Sequence, residues 1–347
     1  MSVIRRWLHM KFSSVVRCLA AISLLGAALA GMPARANPID HANAGADPGG
    51  DFPQRPIRLV VTFPPGGGTD TLARVIGTEL GRSVGQTVVV DNRPGASGNI
   101  GAELVARSPA DGYTLLVVNS TFAINPGVFR KLPFDPGKDF SAVIAFASVP
   151  SVIAVPEHSP IRGLKDLIAA GRSGKPPSYA SCGNGTPQHL AGELLKISAK
   201  IDLLHIPYKG CAPAMTDVLG GQADVSINTL TNTLPYLKTG KLRALAVTSR
   251  GRSPFLPEVP SVSELGLPDY DVDQWFGILA PAGTPPDIVQ KLNLEIARVI
   301  ARPQTKANLA NLGFATTHST PAEFQRMVNA DIARWTKLAL RIGLKAD

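Results

Sequence analysis

A chain of 347 residues has room for roughly two ordinary domains, each with its own core. Its formal net charge of +9 drops to +4 once residues 1–36 are set apart, because they hold five Lys/Arg and no acid. That mild excess comes with no cluster of Lys/Arg and interleaved aromatics, which argues against nucleic acid as a partner and suits a small anionic molecule.

The first residues, "MSVIRRWLHMKFSSVVR", are basic, and "CLAAISLLGAALAG" is an apolar run too short to span a bilayer. With Ala34-Arg35-Ala36 as a small-x-small cleavage site, residues 1–36 read as a secretory signal peptide and the mature chain starts near Asn37. Arg5-Arg6 half matches a twin-arginine signal, but the general export route is the expectation. Cys18 precedes the apolar run, which argues against a lipoprotein anchor. Residues 37–51 are rich in Gly, Asp and Asn without apolar periodicity and read as a disordered leader.

From Phe52 apolar runs alternate with helical patterns. "IRLVVTF" is a β-rich run, followed by "TDTLARVIGTELGRSVG", in which Leu72, Val75, Ile76 and Leu80 recur on one helical face. "TVVVDN", "NIGAELVARS" and "TLLVVNS" continue the alternation. Repeats of this length predict an α/β fold with a parallel sheet covered by helices on both faces. The same grammar returns in "LKDLIAAGR", "PSYASC", "TPQHLAGELLKISA", "IDLLHIPY", "PAMTDVLGG", "ADVSINT", "TLPYLKTG" and "LRALAVTS", a second α/β unit.

The C-terminal part holds "GILAPAG", then helices at "PPDIVQKLNLEIARVIAR", "TKANLANLGF" and "TPAEFQRMVNADIARWTKLAL". The last opens on Thr320 as N-cap, Pro321 at the first helical position and Glu323 completing a capping box. These helices have too little strand for a third sheet and are expected to pack back onto the first unit. Crossings near "VPSVIAVPE" and "AVTSRGRSPFLPEVP" then give one lobe of residues 52–150 plus 255–347 and another of 151–254, with a cleft between them and a hinge beneath.

Two loops carry the functional signal. In "VVTFPPGGGTDTLAR", Gly66, Gly67 and Gly68 permit close backbone approach at a strand-to-helix turn, where unpaired N–H groups and the helix dipole attract an anion. Thr69 caps the helix or offers a hydroxyl; a plain tight turn is the alternative. "SCGNGTPQHLAGE" repeats the design with Gly183 and Gly185 in the turn, Thr186 as N-cap and Pro187 at the first helical position. His189 is placed to bond a carboxylate or to pack under the loop. Tyr208 ends a strand near the same rim as a possible ligand contact, beside Lys209, a solvated charge.

Other chemistries fail on spacing. No Lys follows Gly68, so there is no P-loop. Gly95, Gly98 and Gly101 do not match the dinucleotide fingerprint, and Asn99 stands where a nucleophile elbow needs Gly. Asp70, Asp91, Glu103, Glu193 and Asp224 are scattered singly, and no local nucleophile, metal or paired-acid signature appears, so no catalysis, cofactor or metal is expected. Cys182 and Cys211 each follow a strand at the start of a helix, positions that lie close in neighbouring units; they are expected to be bonded, with two small buried thiols as the alternative.

"PIRLVVTFPPGGGTDTLAR", "VVVDNRPGASGNIGAE", "DGYTLL", "LPFDPGKDF", "SCGNGTPQHLAGELLK", "IPYKGCAPAMTDVLGGQADV" and "LPEVPSVSELGLPDYDVDQWFGILAPAGTP" resemble, in unbroken order, the Bug family of periplasmic solute-binding proteins of tripartite tricarboxylate transporters. The resemblance implies a two-lobed, type II-like periplasmic binding fold that closes on a small carboxylate and delivers it to membrane transporter subunits as a monomer. It points to Gly67, Gly68, Thr69 and Asp70 in the first loop and to Gly185, Thr186 and His189 in the second. It adds Ser120 and Thr121 after "TLLVVN" and Thr229 in "SINTLTN". It also strengthens the expectation of a Cys182–Cys211 bond. A periplasmic sensor subunit using the same closure, and an exported hydrolase on a similar scaffold, are the alternatives from other classes.

Overall fold

The computed structural model describes residues 52–344; the expected signal peptide and leader lie outside the described residues. Strands and helices follow in the order β1 (Ile57–Val61), α1 (Gly68–Val84), β2 (Val88–Asn92), α2 (Asn99–Ala106), β3 (Thr114–Asn119), α3 (Thr121–Val128), β4 (Phe140–Pro156), α4 (Leu164–Gly171) and β5 (Ser178–Ser181). The chain continues with α5 (Pro187–Ala199), β6 (Leu204–Pro207), α6 (Cys211–Leu219), β7 (Val225–Thr229), α7 (Leu230–Lys238) and β8 (Leu242–Val247). It ends with β9 (Asp273–Pro281), α8 (Pro286–Ala301), α9 (Pro303–Asn311), β10 (Ala315–Thr316) and α10 (Pro321–Ile342).

The apolar run of β1 is central because both its faces are covered: Ile57, Leu59, Val60 and Val61 are fully buried. β1 pairs in parallel with β2 and β3, and β3 pairs antiparallel with β9. β9 lies against the first part of β4, from Phe140 to Pro150, also antiparallel. Beyond Pro150 the same strand leaves β9 and pairs antiparallel with β7 and β8, while β5 sits between β7 and β6 in parallel. In one half β1, β2, β3 and β4 therefore share a direction, opposed by β9 and β10; in the other β5, β6, β7 and β8 share one, opposed by β4. This is an α/β fold in which a single strand runs through both halves.

On α1 the face read from the sequence is buried at Leu72, Ile76 and Leu80, with Val75 half-buried and Ala73 and Gly77 completing it. The C-terminal helices pack on the first half. Ser83 on α1 donates to Glu295 on α8 at 2.8 Å, Arg302 donates to Glu79 at 2.9 Å, and Phe324 of α10 is buried edge-on to Trp275. Thr320 caps α10 in the expected reciprocal box with Glu323.

Where β4 crosses between the halves, Ser151 N–H donates to Thr248 Oγ1 and Thr248 N–H returns a bond to Ser151 O, both at 2.9 Å. The Thr248 hydroxyl donates to Val272 O at 2.7 Å, and Val272 N–H donates to Thr248 O at 2.8 Å. The segment between them stays beside β8 and α5, with Val262 N–H bonded to Val247 O and the Tyr270 hydroxyl to Ala191 O. The chain re-enters the first half at β9.

Candidate functional site

A cleft of about 420 Å³ lies between the two halves. Its rim is made largely of helix beginnings. Gly67, Gly68 and Thr69 come from the start of α1, Thr121 from α3 and Thr186 to Gln188 from α5. Gly210 to Ala212 come from α6, and Thr229, Thr231 and Asn232 from α7. Each such end exposes first-turn N–H groups and roughly half a positive charge. At Gly67, Gly210 and Thr229 no side chain caps the helix, which leaves first-turn amides of α1, α6 and α7 to solvent or ligand, whereas the Thr121 N–H that opens α3 donates to Asn119 Oδ1 at 2.9 Å. Among the described residues none of the groups lining the cleft is a Lys, Arg, His, Asp or Glu. Its positive character comes from backbone alone.

Of the two roles open to Thr69 in the first loop, the cap falls to another residue. Gly67 is the N-cap of α1 and Thr69 lies within the first turn, its hydroxyl accepting from Asn119 Nδ2 at 3.2 Å. A Cβ on Gly68 would stand 3.2 Å from Phe314 Cζ, so a glycine lets that ring close over the loop. Asp70 does not line the cleft. Its carboxylate is turned back to accept from Gly66 N–H, Arg74 and Asn92, each at 2.9 Å. Burial opposes ionisation there, but these bonds outweigh it and hold the carboxyl below its usual range. Asp70 ties the loop in place from behind.

In the second loop Thr186 is the N-cap as expected, accepting from His189 N–H, and it lines the cleft with Pro187 and Gln188. Gly183 has φ +129, and a Cβ there would meet Tyr208 O at 2.8 Å, so this turn requires glycine. Gly185 is buried against Val128 and donates to His189 Nδ1 at 3.2 Å. His189 itself packs under the loop, its ring stacked on His205 at 3.9 Å. Burial, with a smaller contribution from Lys196, lowers its pKa to about 4, and His205 is lowered to about 4 mainly by burial. Both are neutral near pH 7.

Ser120 is buried behind the rim, its hydroxyl without a partner among the described residues, while Thr121 beside it lines the cleft. Tyr208 is turned onto α6, donating to Asp217 at 2.8 Å, and Lys209 is exposed. Thr229 lines the cleft and accepts from Asn232 Nδ2 at 2.7 Å. Cys182 and Cys211 are bonded, with Cα atoms 4.3 Å apart, and the bridge forms part of the cleft wall. Closing a loop of 29 residues limits the unfolded chain by about 3–4 kcal/mol in the chain-entropy account.

Sequence reasoning missed several lining residues. Gln188, one position past Pro187, donates from Nε2 to Ser151 Oγ at 3.0 Å and to Gln274 Oε1 at 3.2 Å, joining α5 to β4 and β9. Its place in the first turn of a cleft helix was a usable signal. Asn119 ends β3 and Asn232 lies in the first turn of α7, both without a glycine to mark them, and Phe63, Val149, Phe276 and Phe314 read as ordinary core residues. The lone acids have structural partners: Asp91 holds Arg58 and Arg93, Glu103 holds Arg107, Glu193 holds Lys196 and Asp224 caps Ser178. Among the described residues no three His, Cys, Asp or Glu side chains cluster to hold a metal ion.

A fold of two α/β halves sharing a long strand, with helix beginnings around the cleft between them, defines the class of two-lobed periplasmic binding proteins. The family model described as the tripartite tricarboxylate transporter family receptor matches residues 72–344. The chain belongs to this family, whose members are periplasmic solute-binding receptors. It is 36% identical over 298 residues to protein BugT of Bordetella pertussis, covering 85% of this chain and 91% of that one. A Rhodopseudomonas palustris protein solved with adipate superposes with a TM-score of 0.75 at 38% identity, covering 85% of this chain and all of that one (100%). MatC of the same organism, solved with bound malate, gives 0.72 at 31% identity over 83% of this chain and 100% of its own.

Proposed function

We propose that the chain captures a small carboxylate in this cleft and delivers it to the membrane subunits of a tripartite transporter, as a monomer and without chemistry. The observation that carries the reading is the meeting of several uncapped helix N-termini, from both halves, at a cleft lined by no charged side chain among the described residues. Amides so placed hold an anion by directed hydrogen bonds, which strengthen as water is excluded. The adipate and malate of the two relatives fit the same chemistry.

The proposed lobes are residues 52–150 with 255–347, and 151–254, hinged at the crossing strand. The Thr248–Val272 bonds favour a return nearer residue 272 than 254. Residues 1–36 direct export and are removed, which mass spectrometry of the periplasmic protein should report as a chain beginning near Asn37. A thermal-shift screen of the exported protein against small carboxylates and their neutral amides tests the binding itself. A ligand that binds only the folded state raises the melting temperature. An acid that shifts it where its amide does not is the expected result; no shift with any acid, in a protein that melts cooperatively, would contradict carboxylate capture.

A further inference from the structure

The second half brings the beginnings of α5, α6 and α7 to the cleft, and the Cys182–Cys211 bridge ties the first two together. Cys182 lies in the turn between β5 and α5, Cys211 is the first residue of α6, and both line the cleft. The N–H of Gly210 is taken by Cys182 O at 3.1 Å, and Pro213 has none. Cys211 and Ala212 therefore supply the free amides of this helix start, so one of the two donors is itself a bridged residue.

The first turn of α6 has few other anchors. It follows β6, a strand of four residues at the edge of the sheet, paired with β5 and exposed at Leu204. Ala212 and Pro213 are exposed, and the buried face of the helix begins after them with Ala214, Met215 and Val218. Besides the bridge, the bond from Gly210 and one from Asn228 Nδ2 to Cys211 O at 2.8 Å hold the turn. Hydrogen bonds near a solvent-facing edge open readily, and a covalent bridge does not.

An amide holds an anion only at hydrogen-bond distance and near alignment, and a turn that rocks loses both. We infer that the Cys182–Cys211 bridge is a positioning element of the ligand site, and that affinity for the carboxylate depends on its oxidation state, strong when bonded and weak when reduced. The inference rests on the carboxylate reading above. Linkage gives it a reciprocal: a ligand that favours the bonded form makes that bond harder to reduce by the same factor.

Dithiothreitol supplies the reduction by exchange. One of its thiolates attacks a bridge sulfur, its second displaces that sulfur from the mixed disulfide, and it leaves as its own cyclic disulfide. Cys182 and Cys211 are left as two thiols that carry its two protons. Cys211 is half-buried on the cleft wall, which gives a small thiol access to the bridge from the cleft.

Calorimetric titration of the exported protein, oxidised and then reduced, tests the inference with adipate, malate, citrate and benzoate as probes. Thiol titration reports complete reduction and the far-ultraviolet spectrum an intact fold. The acid that binds the oxidised protein most tightly is expected to bind the reduced protein about five-fold or more weakly, the order of one net hydrogen bond. Reoxidation should restore the affinity. The Cys182→Ser/Cys211→Ser variant should bind as the reduced protein does, with or without dithiothreitol. The same acid, at saturation, is expected to raise by that factor the ratio of reduced to oxidised dithiothreitol that opens half the bridges. Equal affinity in the two states would overturn the inference and leave carboxylate capture standing. A reduced protein that loses its spectrum would assign the bridge to overall stability and overturn it as well. Failure of all four acids to bind the oxidised protein would overturn both readings. In amide spectra at saturating ligand, the shifts at Cys211 and Ala212 should shrink on reduction while those at Gly68 and Thr69 persist; equal shrinkage would count against local positioning.

Discussion

At the scale of single residues, Gln188 is the side chain that ties cleft to crossing, because it reaches from α5 to Ser151 on β4 and Gln274 on β9. Gln188→Ala is expected to weaken ligand binding about ten-fold, equivalent to about 1.4 kcal/mol, the order of one or two net hydrogen bonds. Calorimetry on a variant with an unchanged far-ultraviolet spectrum measures it; unchanged affinity would show that the bridge has no part in binding. Gly67, Gly68, Thr69 and Thr186, all singled out from local turn and cap chemistry, lie along the cleft, whereas Gly185 of the same loops packs against Val128. Asp70, His189 and Tyr208 belong to the same loops, but their side chains turn away from the cleft to satisfy a backbone amide, a stack and a neighbouring helix. Which way a side chain turns depends on partners distant in sequence, and a local motif does not contain them.

At the scale of elements, the stack of His189 on His205 joins α5 to β6, with His205 Nε2 2.7 Å from Ser181 Oγ on β5. Both imidazoles titrate at about 4 in the folded protein, held there first by burial. In the unfolded chain they titrate at about 6.5. Between those values the unfolded state binds more protons, so their contribution is fully present above about pH 6.5 and is lost as pH falls towards 4. Asp273, raised by burial from 3.8 to about 6, acts with the opposite sign over part of this range, its contribution declining as pH rises. Comparison with His205→Phe separates the two. The melting temperature of the unsubstituted protein is expected to fall more steeply from pH 6.5 to 4.5 than that of the variant, and equal slopes would contradict the role assigned to the stack. Most elements were legible from apolar periodicity, including α1 and the capped start of α10. The antiparallel course of β9 was not, because a buried strand reads alike in either direction.

At the scale of the whole molecule, the halves meet along β4 and through the Ser151, Thr248 and Val272 bonds. Thr248 is fully buried, and its hydroxyl both accepts from Ser151 N–H and donates to Val272 O. Thr248→Val keeps the shape and leaves those groups short of a partner, so a loss of about 1–3 kcal/mol is expected in urea unfolding. A smaller loss would mean that water or a shift of the crossing replaces the hydroxyl. The alternation of strands and helices was legible in the sequence, and β4 passes from β9 to β7 and β8 within the stretch "VPSVIAVPE"; the lobe bounds drawn there belong to the proposal. For the return to the first half, expected near residue 255, the bonds of residues 249–271 to β8 and α5 favour a proposed bound nearer 272; composition alone, turn-rich there, carries no such partner.

The claim on which the account depends is that main-chain amides from both halves grip one anion. Backbone amide NMR of the exported, isotope-labelled protein, titrated with a carboxylate that raises its melting temperature, reads those groups one by one. Large shifts at Gly68 and Thr69 in α1 together with Cys211, Ala212 and Thr231 in α6 and α7 are the predicted result. Shifts confined to one half, or centred away from these helix beginnings, would contradict it.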